Sequence, residues 1–289
     1  MDARQSLSGV SPEDVLTPEQ TKRAAELAPP EVIRATTDLY ASFVRPRSRR
    51  FLLRGAAVGA AGAAAIGSGV LAALPAFAEG QKAKAAATDS VKTILSIAAT
   101  AEQLAITFYK NGIANHERMG IGYTETVWLK SAAQEEQIHL NLFESLGGTP
   151  LTGTFSFPCG GGTFTNKATF IATQQQLEGA FDSAFLAAIV EFCNLGLPLY
   201  SRISGQIACI EAEHRVLGRV IGGFTTADNE AFEPALLDTV GQAPGVLKEA
   251  GYLSPREGNS YAFSPYIENN PDIIDRSPYD KMVADLPRC

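Results

Sequence analysis

Two of the three histidines in this 289-residue chain stand three residues after a glutamate, Glu136 with His139 and Glu211 with His214. Both pairs lie in runs with helical apolar spacing. Positions i and i+3 of an α-helix share a face, so each Glu-x-x-His aims one carboxylate and one imidazole at a common point. Two such helices, each joined by a partner helix that gives one more glutamate, enclose a pair of metal ions with six ligands at the centre of a four-helix bundle. The repeated motif therefore predicts an all-α fold with four long helices.

The rest of the sequence supplies them. A first helix starts at Asp89 or Ser90, follows the apolar stripe Val91, Ile94, Leu95, Ala98, Ala101, Ala105 and Phe108, and ends before Gly120. A second runs from Thr124, with Glu125 in its first turn, to Leu146, where Gly147 and Gly148 stop it. Residues 147–168 are rich in Gly, Thr and Phe and contain Pro150 and Pro158, which predicts an irregular crossover along the length of the bundle. The third helix spans Ala168 to Cys193 and the fourth Pro198 to Ile221, before Gly222 and Gly223. The tail after Gly223 is interrupted by prolines, holds one short helix from Pro244 to Ala250, and is expected to wrap the bundle.

The third helix offers two glutamates, Glu178 and Glu191, which face nearly opposite sides, about 220° apart around the axis. In an antiparallel hairpin, ligands at equal height have residue numbers that average to the middle of the turn. Pairing Glu178 with Glu211 puts that middle between Asn194 and Leu195, in the turn signal that ends at Gly196-Leu197-Pro198. Pairing Glu191 puts it at Ser201, inside the fourth helix, so Glu178 is the predicted ligand. The same test on Glu102 and Glu136 centres the first hairpin at Met119, beside Gly120 and Gly122.

Three segments then carry a family resemblance. Ala101-Glu102-Gln103-Leu104-Ala105-Ile106-Thr107-Phe108-Tyr109 sets a glutamate seven residues before a tyrosine. Leu177-Glu178-Gly179-Ala180-Phe181-Asp182-Ser183-Ala184-Phe185-Leu186 and Ile210-Glu211-Ala212-Glu213-His214 are the other two. Over residues 88–223 the chain resembles the ferritin-like superfamily, in particular its exported or desiccation-associated ferritin-like domain proteins. The resemblance implies a ferritin-like four-helix bundle whose metal ligands are Glu102, Glu136, His139, Glu178, Glu211 and His214, the set already reached from spacing. Glu136 and Glu211 would bridge two ions, Glu102 and Glu178 would be terminal ligands, and each histidine would bind one ion. Ala105 replaces a second glutamate common in the first helix of that branch, and Phe185 stands where a tyrosine is usual. The Phe-rich crossover and long tail have no clear counterpart in cage-forming ferritins.

Carboxylates and imidazoles favour Fe or Mn over thiophilic metals, so the expected cofactor is two Fe or two Mn ions. Two one-electron changes match the reduction of O2 or H2O2. The expected activity is Fe(II) oxidation with O2, or consumption of peroxide, with no catalytic residue beyond the ligands. The rival reading is a non-catalytic bundle for stress or desiccation protection, with structural metal or none. Its six residues would then form a buried hydrogen-bonded network, although four carboxylates in one core are costly to ionise unpaired.

Side chains near the ligands get plainer readings. Tyr109 and Tyr200 share helical phase with Glu102 and Glu211 and are read as core packing rather than as hydrogen-bond donors to a ligand or electron relays. Glu135, Asp182 and Glu213 flank ligands and are read as solvated helix faces. His116 lies about 21 Å along the axis from Glu102, out of reach of the metals, and is read as neutralising the C-terminus of the first helix. Cys159-Gly160-Gly161-Gly162 lacks the Lys-Ser/Thr of a phosphate loop and reads as a turn.

Residues 1–78 are set apart from this bundle. Ser48-Arg49-Arg50-Phe51-Leu52-Leu53-Arg54 precedes an uncharged Gly/Ala-rich run ending Ala76-Phe77-Ala78, which reads as a twin-arginine export signal cleaved after Ala78. The alternative is an uncleaved membrane anchor over Gly55 to Ala78. Both put residues 79–223, the bundle, and residues 224–289, the tail, outside the cytoplasm. Residues 79–289 carry 15 Lys+Arg against 24 Asp+Glu, a net of −9, so nucleic acid is not an expected partner. The partners implied are metal ions, O2 or H2O2 and the twin-arginine export machinery, and a homodimer is compatible with the sequence. Cys159, Cys193, Cys209 and Cys289 show no zinc spacing, and export would allow them to oxidise.

Overall fold

The computed structural model describes residues 88–224, 227–228, 231–270 and 272–276. Arg49, Arg50, the span from Gly55 to Ala78 with its cleavage site, and Cys289 lie outside the described residues. No helix among the described residues is long and apolar enough to cross a membrane.

Helix α1 (Val91–Ala114) begins where the Ser90 hydroxyl accepts from the Thr93 N–H at 3.1 Å, satisfying one of the free donors of the first turn. It stops short of Gly120. The Asn115 amide donates to the Asn111 carbonyl at 2.9 Å, and a one-turn helix α2 (His116–Met119) follows. Helix α3 (Tyr123–Ser145) completes the first hairpin. Helix α4 (Lys167–Asn194) is capped by Asn166, whose side chain accepts from the Thr169 N–H at 3.1 Å. Helix α5 (Pro198–Ile221) opens on a proline, whose fixed φ suits a first helical position. Between them Gly196 takes φ 71°, a left-handed conformation that ends α4 in the turn the sequence singled out.

The four long helices pack as two hairpins, α1 with α3 and α4 with α5. The hairpins meet through α1 against α4 and α3 against α5, so the chain passing from α3 to α4 crosses the bundle diagonally. That crossover is irregular but well buried. It contains strand β1 (Thr154–Phe155) and a 3-10 turn at Gly160–Phe164. Phe155, Phe157 and Phe164 are fully buried, and Phe157 and Phe164 meet edge to face with ring centroids 5.0 Å apart. On α1, Phe108 stacks on Phe170 at 4.5 Å and closes this aromatic cluster.

The tail wraps the bundle. A 3-10 turn (Val240–Gln242) and helix α6 (Ala243–Glu249) pack against α1 and α4, burying Val240, Val246 and Leu247. Strand β2 (Tyr261–Ala262) pairs antiparallel with β1, Phe155 opposite Tyr261. The Asn259 side chain bridges the Phe157 backbone, accepting from its N–H at 3.0 Å and donating to its carbonyl at 2.9 Å. Farther on, Gln137 accepts from the Tyr266 N–H at 3.0 Å, Gln134 from the Glu268 N–H at 2.7 Å, and Ser131 donates to the Ile273 carbonyl at 2.8 Å. The tail is thus sewn along α3.

Candidate metal centre

The six residues selected from spacing converge at mid-height in the bundle. Glu102 comes from α1, Glu136 and His139 from α3, Glu178 from α4, and Glu211 and His214 from α5. Their ligand atoms form two overlapping groups, each within 4.8 Å: Glu102, Glu136, His139 and Glu211, and Glu136, Glu178, Glu211 and His214. Glu136 and Glu211 belong to both. Each turns one oxygen to each histidine. Glu136 Oε2 lies 3.3 Å from His139 Nδ1 and its Oε1 3.2 Å from His214 Nδ1. Glu211 Oε1 lies 3.9 Å from His139 Nδ1 and its Oε2 3.6 Å from His214 Nδ1. Glu102 faces His139 alone at 3.9 Å, and Glu178 faces His214 alone at 3.7 Å.

The electrostatics of this cluster are severe. All four carboxylates are 0–1% exposed. Burial raises the pKa of Glu102 well above the usual carboxylate range, and the Glu136 charge adds to it. Glu211 is raised in the same way, by burial and then by Glu136 and Glu178. Burial also pushes Glu136 upward, but hydrogen bonding from His139 and His214 outweighs it and leaves this carboxyl below the usual range. For His214, burial disfavours the charged ring, and Tyr109 with the carboxylates of Glu135, Glu136 and Glu178 more than reverses that. Among the described residues, Glu102 Oε1, Glu178 Oε2 and both Glu211 oxygens have no hydrogen-bond partner despite full burial. Orphaned buried acceptors are costly, so a donor set of this kind fits cations rather than a closed polar network. With four carboxylates, two imidazoles and no thiolate, the set could hold metal ions through oxygen and nitrogen donors.

Three neighbours fix the ligands, and sequence reasoning gave two of them a blander role. Tyr109 donates a hydrogen bond to Glu178 Oε1 and sets its ring edge-on to His214 at 5.8 Å. It is therefore not simple core packing, and its partner is on α4 rather than Glu102. Glu135 is not on a freely solvated face: its Oε2 lies 2.7 Å from His214 Nε2, and with Nε2 as the donor of a neutral ring the Nδ1 lone pair would face the cluster. Gln174, absent from the sequence reading, donates to the His214 carbonyl at 2.6 Å and to the Tyr109 oxygen at 3.3 Å. Gly218 makes room for it, since a Cβ there would lie 2.0 Å from Gln174 Oε1.

The other expectations divide. Glu191 is remote from the cluster: its carboxylate accepts from the Asp89 N–H at 2.6 Å and the Val240 N–H at 2.9 Å, joining the start of α1 to the tail. Tyr200 packs on Phe192 at 5.3 Å. Asp182 is buried, against the solvated reading, whereas Glu213 is exposed in accord with it. His116 begins α2, directly after the end of α1, and bonds through Nδ1 to the Ile121 carbonyl at 3.1 Å. Cys159 is buried, and Cys193 and Cys209 are exposed.

Residues 90–221 match the family model described as a ferritin-like domain. No curated protein and no solved structure matches the chain.

Proposed function

Because residues 90–221 are a ferritin-like domain, we propose that the chain holds two Fe or Mn ions in this cluster and uses them in Fe(II) oxidation with O2 or in peroxide consumption. The observation that carries this reading is the sharing of Glu136 and Glu211, each with one oxygen toward each histidine. Glu136 and Glu211 would bridge, Glu102 and His139 would complete one side, and Glu178 and His214 the other. When bound, such a pair supplies two one-electron changes to one oxidant. Around it the chain's own groups position ligands: Tyr109 holds the Glu178 carboxylate, and Glu135 keeps His214 in the tautomer that presents Nδ1. With O2, two substrate Fe(II) ions lose one electron each and O2 takes up both with two protons, leaving as H2O2. With H2O2, the same two electrons and two protons break the O–O bond and give two waters.

The test is Fe(II) oxidation on metal-loaded protein with each oxidant in turn, against the Glu136→Ala variant. Turnover by the native chain that the variant lacks supports the reading. No turnover above buffer with either oxidant leaves the non-catalytic protective bundle in its place.

Export completes the proposal. Arg49 and Arg50 before the Gly/Ala-rich run are the twin-arginine pair, which is read as guanidinium rather than as charge alone. Replacing both with lysine is expected to leave the precursor in the cytoplasm, checked by cell fractionation; unchanged secretion removes the route.

A further inference from the structure

One helical turn from the cluster, on the side of the α4–α5 turn, the bundle core holds a cavity of about 30 Å3. Its lining comes within one helical turn of a cluster residue on α1, α3 and α4. Ala98 precedes Glu102 by four residues, Phe143 follows His139 by four, and Phe181 follows Glu178 by three. The space exists because Ala180, Ala184 and Ala188 put small side chains on one face of α4, and the tail closes it with Val240, Ala243 and Leu247. Glu191 holds Val240 in that wall through its N–H. Ser204 is the one polar side chain of the lining, and its hydroxyl donates to the Tyr200 carbonyl at 3.0 Å, so it offers the cavity no free proton.

Such a chamber selects its guest. Apolar cavities stay dry and take up apolar gases, whereas water or peroxide in one would forfeit its hydrogen bonds. The volume is a small fraction of the ~150 Å3 that admits benzene, which excludes a hydrocarbon substrate and leaves room for a diatomic gas. We infer that this cavity is a docking chamber for O2 beside the cluster, and that O2 rather than H2O2 is the oxidant. The inference rests on the dinuclear reading proposed above. It requires no new chemistry: O2 accepts one electron from each of two Fe(II) ions and two protons from solvent.

Xenon, an apolar probe of similar bulk, is expected in this cavity in crystals pressurised with the gas. Ala188→Leu fills the space without touching a ligand, and Ala184→Leu serves where the first variant does not fold. Either variant is expected to lose xenon and keep its iron content. The O2 concentration giving half the maximal rate of Fe(II) oxidation should rise about fivefold, equivalent to ~1 kcal/mol, while oxidation by H2O2 stays unchanged. Absence of xenon from the native cavity overturns the inference. So does an unchanged O2 dependence in an iron-loaded variant that has lost xenon, and that result leaves the metal site standing. Failure of the native chain to bind iron removes the dinuclear reading and this inference with it.

Discussion

The two halves of the cluster have the same ligand types and different surroundings. On the His214 side, the ring is 2% exposed, Glu135 Oε2 lies 2.7 Å from Nε2, Tyr109 bonds Glu178, and Gln174 ties the backbone of α5 to α4. On the His139 side, the ring is 9% exposed and its contacts run through Nδ1 to Glu136, Glu102 and Glu211. Among the described residues, one half is buttressed from outside, whereas the contacts of the other run among the six cluster residues. Outer partners fix ring orientation and ligand basicity. We propose that such a site holds one ion more firmly than the other, through the outer partners of His214 and Glu178.

The change expected to have the largest effect erases the comparison. Glu136→Ala or Glu211→Ala removes a carboxylate common to both halves, and bound metal should fall toward zero, with affinity down more than ~100-fold, beyond the loss of an outer partner. Elemental analysis checks it; retention of one full ion would mean that the halves do not share these groups.

Glu178→Ala touches the buttressed half only. The metal-to-protein ratio is expected to drop by about one ion, whereas Glu191→Ala should keep both. The latter instead leaves the buried Val240 amide and the half-buried Asp89 amide without an acceptor, at ~1–3 kcal/mol for the buried one, seen as a lower melting temperature. The reverse ranking in metal content would move the ligand to the other glutamate.

Acid should act oppositely on metal-free and loaded protein. The folded pKa values of Glu102 and Glu211 are raised, so the metal-free protein loses stability as pH rises from ~4.3 through those values and regains it as pH falls. Glu136, whose folded value is lowered, acts below ~4.3 and with the opposite sign. Between pH 7 and 5 the metal-free protein should therefore melt higher as pH drops, by a few degrees for each ~1.4 kcal/mol recovered. Loaded protein should melt lower, because protons compete with ions for the same oxygens. Identical trends in both samples would remove the metal from the site.

The smallest effect sharpens the comparison. Glu135→Gln makes the His214 side resemble the His139 side, lowering the affinity of the tighter ion about tenfold. Two separate steps in a metal titration should then draw together. Steps that keep their separation would place the asymmetry elsewhere.

The four helices and the convergence of the six side chains were legible because periodicity and hairpin symmetry are properties of local sequence. Pairing by numerical midpoint needs only helical rise and a turn, and it separated Glu178 from Glu191. What escaped depends on rotation of one helix against another. Glu135 is one residue from Glu136 and so about 100° off its face, where local reasoning assigns solvent; the neighbour it meets, His214, is on α5. Tyr109 follows Glu102 by two turns, which points to a partner on its own helix, but the oxygen it reaches is on α4. A polar Gln174 one turn before Glu178 was the available hint of an outer layer. Asn115 was a local signal missed: a side-chain amide that competes for backbone carbonyls near a helix end.

The sewing of the tail along α3 has a consequence for the order of events during synthesis. Gln137 and Tyr266, or Ser131 and Ile273, are bonded partners separated by well over a hundred residues, and closing so long a loop is slow relative to pairing neighbouring helices. Val240 and Leu247, which wall the cavity, leave the ribosome after all four bundle helices. The nascent bundle therefore carries an open apolar cleft until the last part of the chain arrives, and translation time itself sets how long that cleft is offered to chaperones or to other nascent chains.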